Sequence, residues 1–341
     1  MSEYPKIALK HSGRYSIYLL TFLALLFALD RESSKKSGQI FTVIYVLLMA
    51  YTFWDWHGKT SIPGLLAEYG LHIDLFFRGA SPSSFFENRN PYAVVSVGVF
   101  FWSLARLRQS WILSSLGIMA ALYSIVLAGS RNGVLTLVIC LLFLLILTLK
   151  HIRKTRTAFI LVLAAVIVVG IGFYSIYSQT VKRIGQAKLN HLLNIKTYKD
   201  LESFDTRFVI FRSAIELGIA EPPILGSGTK TFGHEVFSKS KDIAHLNSPW
   251  YKDAFNSHNA PLTIWIEMGW VGLIAVLLFL WLWFRPALRG PPLLMMPMLA
   301  VCVGQILDYF VWEIFFMAFQ SFFFAHFAAT ITFQEMDQSS S

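Results

Sequence analysis

The sequence is short of the two things that a water-soluble or a secreted domain needs. Only 14% of its 341 residues are charged, too few to cover a soluble domain of this size. It has two cysteines, Cys140 and Cys302, each inside an apolar run and far from the other in sequence. That pattern offers neither a disulfide framework nor a cysteine-rich metal spacing. No internal repeat is found, and no low-complexity tract beyond a short serine tail. A cleavage site is lacking too. The first apolar stretch, residues 15–29, follows Lys6, Lys10 and Arg14 in the manner of a signal peptide, but Asp30-Arg31-Glu32 comes directly after it, so it is read as a retained span.

What is present is apolar. Hydrophobic residues make up 55% of the chain and the mean hydropathy is +0.55, which points to a polytopic membrane protein. Runs long enough, or nearly so, to cross hydrocarbon lie at about 15–29, 39–54, 91–106, 110–128, 133–149, 157–178, 260–284, 291–307 and 309–330. The expected fold is therefore all-α, with roughly nine or more transmembrane helices and one large, mostly helical water-soluble segment. The expected division is 1–178 for the first group of spans, 179–258 for the soluble segment and 259–341 for the last spans.

Basic loops set the orientation. Lys150-His151-Ile152-Arg153-Lys154-Thr155-Arg156 and the pair Arg285 and Arg289 belong in the cytoplasm by the positive-inside rule. Alternation then puts the Arg106–Arg108 turn in the cytoplasm as well. Ser130-Arg131-Asn132, the loop from about 55 to 90 and the 179–258 segment fall on the opposite face. Counting back places Met1 outside, against the preference of Lys6, Lys10 and Arg14, so the first two spans are left without a settled orientation. The 179–258 segment holds eleven basic against eight acidic side chains, a surplus that suits an anionic head group at a membrane surface as well as an ordinary solvated loop.

The most informative stretch runs from Phe255 to Gly272. A polar, titratable pair, His258-Asn259, stands at the water-side mouth of a long apolar helix. Asn259 can cap that helix and Pro261 suits its first turn, where a missing N–H does no harm. Such a histidine can be packed at a helix entrance, or it can act as a base at the membrane surface. Glu267 lies in the same helix, where an acid inside a span faces protein or water rather than lipid; helix pairing explains it at least as well as catalysis, and the same holds for Asp308 and Glu313. His234-Glu235 and His245 suit a solvated loop better than an acceptor contact. Asp200 and Glu202 form the nearest thing to a metal-binding pair outside the cytoplasm, without a third ligand, so no metal is expected.

Four segments in this order resemble the O-antigen ligase and polymerase superfamily of bacterial envelope glycosyltransferases. They are Glu87-Asn88-Arg89-Asn90-Pro91-Tyr92-Ala93 opening a span, Ala128-Gly129-Ser130-Arg131-Asn132-Gly133 at a hairpin, Arg207 through Phe232 with Pro222, Gly226 and Gly228, and His258-Asn259 followed by Gly269-Trp270-Val271-Gly272. The likeness covers roughly residues 85–285. It implies transfer of a glycan from undecaprenyl diphosphate to an acceptor at the periplasmic face of the bacterial inner membrane, in the ligase case to a sugar hydroxyl of lipid A-core. It further implies an inverting reaction without metal or other cofactor, with His258 in the reacting position and Arg131 and Arg207 on the donor diphosphate. The partners are then the lipid-linked donor, the lipid A-core acceptor and membrane lipid, with no nucleic acid.

The residue chemistry is compatible with that reading. A departing diphosphate gains negative charge, which pre-placed guanidinium groups meet with two parallel hydrogen bonds each. Arg131 also suits a helix-end arginine reaching for the interface. Arg207 and Arg212, five apart, diverge on a helix, and Arg212 is placed to pair with Glu216 at i,i+4 instead. His258 would take the proton of the acceptor hydroxyl or, protonated, would bind phosphate; the sequence allows both. A repeat-unit polymerase uses the same donor and is the alternative enzyme. A transporter of the lipid-linked glycan would call for repeated halves and polar residues at mid-membrane, whereas the polar residues here gather at one face.

Overall fold

The structure, a computed structural model, describes residues 31–57, 89–151, 202–220, 224–228, 231–239, 257–287, 292–308 and 319–329. Among them every regular element is a helix: α1 (Arg31–His57), α2 (Arg89–Ala105), α3 (Trp111–Ala128), α4 (Arg131–His151), α5 (Glu202–Ala220), α6 (Phe232–Lys239), α7 (Ala260–Ala287), α8 (Pro292–Leu307) and α9, residues 319–329. The expected all-α fold is what is found. Six of the nine expected spans correspond to described helices along most of their length, and α9 covers part of a seventh. The spans expected at 15–29 and 157–178 lie outside the described residues. By length and composition, two stretches are sufficient to cross a bilayer, Trp111–Ala128 and Ala260–Leu282, with shorter apolar helices at Asn132–Leu147 and Pro292–Leu307.

The chain falls into two compact units. One holds α1 to α4, most of α8, and α9. Its centre is α2, apolar all round and buried without interruption from Pro91 to Ser103, as a helix must be when it has no polar face to turn outward. Small residues let the neighbours close in. Gly133 of α4 lies against Ala93, Gly304 of α8 against Val94 and Gly98 against Phe323 of α9, each with no room for a Cβ. Buried hydroxyls cross-link the helices. Tyr45 donates to Ser96 Oγ (2.7 Å), Ser96 donates back to the Tyr92 carbonyl (2.7 Å), and Tyr92 donates to Ser124 Oγ (2.8 Å).

The Gly129-Ser130 hairpin between α3 and α4 follows from its residues. Gly129 takes the left-handed conformation (φ 55°, ψ 29°) that ends α3, its N–H bonding the Val126 carbonyl. Ser130 then caps α4. Its hydroxyl accepts the Gly133 N–H (3.2 Å) and donates to Asn90 Oδ1 (2.7 Å) at the head of α2.

The other unit holds α5, α6, α7 and the chain from Gln305 to Asp308. Its core is Ile210 and Ala214 of α5, Phe232 and Val236 of α6 and Ile266 of α7, with Leu217 and Leu262 packed on it. The expected span at 260–284 differs from the structure in one respect. Although α7 is apolar throughout, it is broken at Gly269 (φ 69°, ψ −169°), a backbone conformation essentially confined to glycine. The break leaves the carbonyls of Ile266 and Glu267 and the N–H of Val271 outside the helical pattern, and the 224–228 loop takes up all three. Ser227 N–H bonds the Ile266 carbonyl (3.1 Å), Gly228 N–H the Glu267 carbonyl (2.8 Å), and Val271 N–H the Ile224 carbonyl (3.2 Å). Gly226 and Gly269 meet backbone to backbone there, and a Cβ on either would strike the other strand of chain.

Candidate functional site

His258 stands where the sequence places it, just before Asn259, the residue that caps α7 (Ala260–Ala287), and its setting is built by its neighbours. Asn259 is the helix cap: its Oδ1 accepts the Leu262 N–H (2.9 Å) and its carbonyl accepts the Thr263 N–H (3.0 Å). Its Nδ2 donates to the Ile306 carbonyl (2.8 Å), tying the head of α7 to the end of α8. Ser257, fully buried, bonds Thr263 Oγ1 (2.6 Å) and accepts the Asn259 N–H (3.0 Å). Held on both sides, His258 adopts a left-handed backbone, φ 51°, found at no other non-glycine residue among those described. Such a conformation costs an L-residue about 1–2 kcal/mol, and it is kept here by the hydrogen bonds that fix its two neighbours.

The ring is oriented by a carboxylate. His258 Nδ1 lies 2.9 Å from Asp308 Oδ1; the Asp308 side chain is 3% exposed and that of His258 33%. With Asp308 ionised and the ring neutral, Nδ1 donates this bond and Nε2 carries the lone pair; with the ring protonated, both nitrogens donate. A histidine oriented by a buried aspartate, on a side chain within reach of solvent, is equipped to take a proton from a hydroxyl. Asp308 thereby acquires a role that the sequence did not single out. Fifty residues separate the two, and only the return of the chain through α8 brings them together.

The other expected site residues are placed as follows. Arg131 is the first residue of α4, and Arg207 lies in α5; the backbone of each is described and its side chain is not. Arg131 and His258 belong to different units. Arg212 pairs with Glu216 through Nε···Oε1 at 2.7 Å on the exposed face of α5, the i,i+4 arrangement expected. Glu267, expected as a possible supporting residue, has its Oε1 accepting the Phe232 N–H (3.1 Å) at the head of α6, a partner that a buried acid in an apolar helix needs. Glu235 is buried in the first turn of α6 and His234 is half-buried. Asp200, His245, Glu313 and the side chain of Glu202 lie outside the described residues. Among those described, no group of three His, Cys, Asp or Glu is arranged to hold a metal ion. Cys140 and Cys302 are free thiols.

Residues 116–277 match the family model described as O-Antigen ligase. The match spans a little under half of the chain and supports its likeness to the O-antigen ligase and polymerase superfamily, whose members are membrane-integral bacterial proteins of glycosyltransferase type. The matched stretch contains Arg131, Arg207, Arg212, His258, Asn259 and Glu267, and ends before Asp308. No curated protein matches the chain.

Proposed function

We propose that this chain is an O-antigen ligase that transfers a glycan from undecaprenyl diphosphate to a sugar hydroxyl of lipid A-core at the periplasmic face of the inner membrane. The observation that carries the reading is the His258–Asp308 pair, set beside a family match that covers His258. In the proposed reaction the acceptor hydroxyl gives its proton to His258 Nε2 as its oxygen attacks the anomeric carbon. The bond from that carbon to the diphosphate oxygen breaks on the opposite side, so the configuration inverts. Asp308 holds the ring in the tautomer that can accept and stabilises the imidazolium that forms. Arg131 and Arg207 are assigned to the diphosphate, where their fixed charge offsets the charge that develops on the leaving group; neither a metal nor another cofactor is assigned a part.

The polysaccharide of a deletion strain tests the reading. Free carrier-linked polymer beside bare lipid A-core is expected. Core bearing a single repeat unit would replace the ligase with the repeat-unit polymerase, and unchanged polysaccharide would remove both.

A further inference from the structure

We propose that the apolar rim made by Ile219, Ile224 and Leu225 is immersed in the bilayer, so that the water–lipid boundary crosses this unit at the Gly269 break and not at the start of α7.

The three side chains are 70%, 69% and 72% exposed, a large apolar surface for a segment otherwise rich in charge. Their level along α7 is fixed by contacts. Gly218, next to Ile219, lies against the indole of Trp265 with no room for a Cβ. The Ile224 carbonyl accepts the Val271 N–H. The rim therefore flanks α7 between Trp265 and Val271.

At that level α7 changes character. None of residues 260–267 is exposed, whereas Trp270, Val271, Ile274, Leu277 and Leu278 all are. The first part is packed in the core of its unit and the second shows apolar side chains outward, as a helix in lipid does. Length agrees: the whole helix of 28 residues would run about 42 Å, well beyond a hydrocarbon core of about 30 Å. The part after the break, residues 270–287, would run about 27 Å, close to one crossing.

Two further features mark a boundary there. Trp265 and Trp270, with ring centroids 5.2 Å apart, straddle the break, and tryptophan concentrates at membrane–water interfaces. On α5, the exposed Arg212–Glu216 pair gives way within one turn to Ile219, so the same face passes from charged to apolar on approaching the break. Continuity with the outward face of α7 identifies the occupant as lipid.

Single nitroxide labels at positions 219, 224 and 225 test this in the full chain, reconstituted in phosphatidylethanolamine–phosphatidylglycerol vesicles on a Cys140→Ala, Cys302→Ala background. Position 216 is the water-side reference and position 278 the lipid-side reference. Collision with oxygen should exceed collision with a nickel chelate at 219, 224 and 225, as at 278, with the reverse at 216. Nickel access equal to that at 216 would overturn the proposal, and so would poor access to both reagents, which would indicate a protein partner or a second copy. A photo-reactive benzoylphenylalanine at 224 or 225, with both cysteines kept, gives a second reading. Cross-linking to radiolabelled lipid at the yield seen from position 278 is expected, and its absence there would overturn the proposal.

Discussion

The chemistry proposed for His258 depends on a ring carried by a backbone held in an uncommon conformation, so its neighbours decide whether the ring reaches a substrate. His258→Ala is predicted to lower transfer by about 10²–10⁴-fold, the usual worth of a general base, with donor binding kept. Wild-type rates in a purified assay with lipid-linked glycan and core acceptor would remove His258 from the reaction. Asp308→Asn fills the same space but takes away the charge that steadies an imidazolium. It is expected to lower kcat by about 10²-fold or more with little change in KM for the donor, and to alter the pH profile; a variant with unchanged kcat and profile would reduce Asp308 to a structural contact. At Arg131 and Arg207, lysine keeps the charge and loses the planar two-pronged grip, so Arg→Lys at either is predicted to weaken donor binding and transfer, with non-additive effects if both meet one ligand. Arg212→Lys should be mild, because Arg212 is already engaged with Glu216 on an exposed face. Unimpaired Arg131→Lys and Arg207→Lys proteins would take these two residues out of the site.

The elements are held by close backbone approaches, and glycine substitutions tell the kinds of approach apart. Gly269→Ala and Gly226→Ala put a Cβ into the facing main chain as well as straining a positive φ; each is predicted to destabilise by about 3 kcal/mol or more. Gly129→Ala meets nothing within 4 Å and should cost only the conformational term of about 1–2 kcal/mol. Thermal unfolding in detergent ranks the three, and equal losses would refute the packing explanation of the break. Helix existence was legible from the chain, since apolar runs of the right length announced α2, α3, α4 and α8 to within two residues, and Asn259 and Pro261 marked the head of α7. The Gly269 break was not legible: a glycine in an apolar run reads as helix until the 224–228 loop is seen taking its freed carbonyls. Asp308 and Glu267 were noticed only as acids in apolar surroundings. Their partners, His258 and the Phe232 N–H, lie 50 and 35 residues away, a distance that local pattern does not span.

For the molecule as a whole, the assignment of the diphosphate to arginines predicts that transfer in proteoliposomes proceeds in excess EDTA. Loss of activity that returns with a divalent cation would instead favour carboxylates such as Asp200 and Glu202. The enclosed position of α2 has a consequence for biogenesis. The chain emerges in order, so α2 reaches the membrane before α3 and α4, the helices that cover it. In that interval its Tyr92 hydroxyl, later bonded to Ser124 of α3, faces lipid or the insertion machinery, and α2 is less apolar on average than α3. Residues 89–151 should therefore settle as one cooperative group. A chain ending near Gln109, fused to a topology reporter, is predicted to hold α2 across the membrane poorly, and extension through His151 to restore it; stable crossing by the shorter chain would show that α2 commits alone.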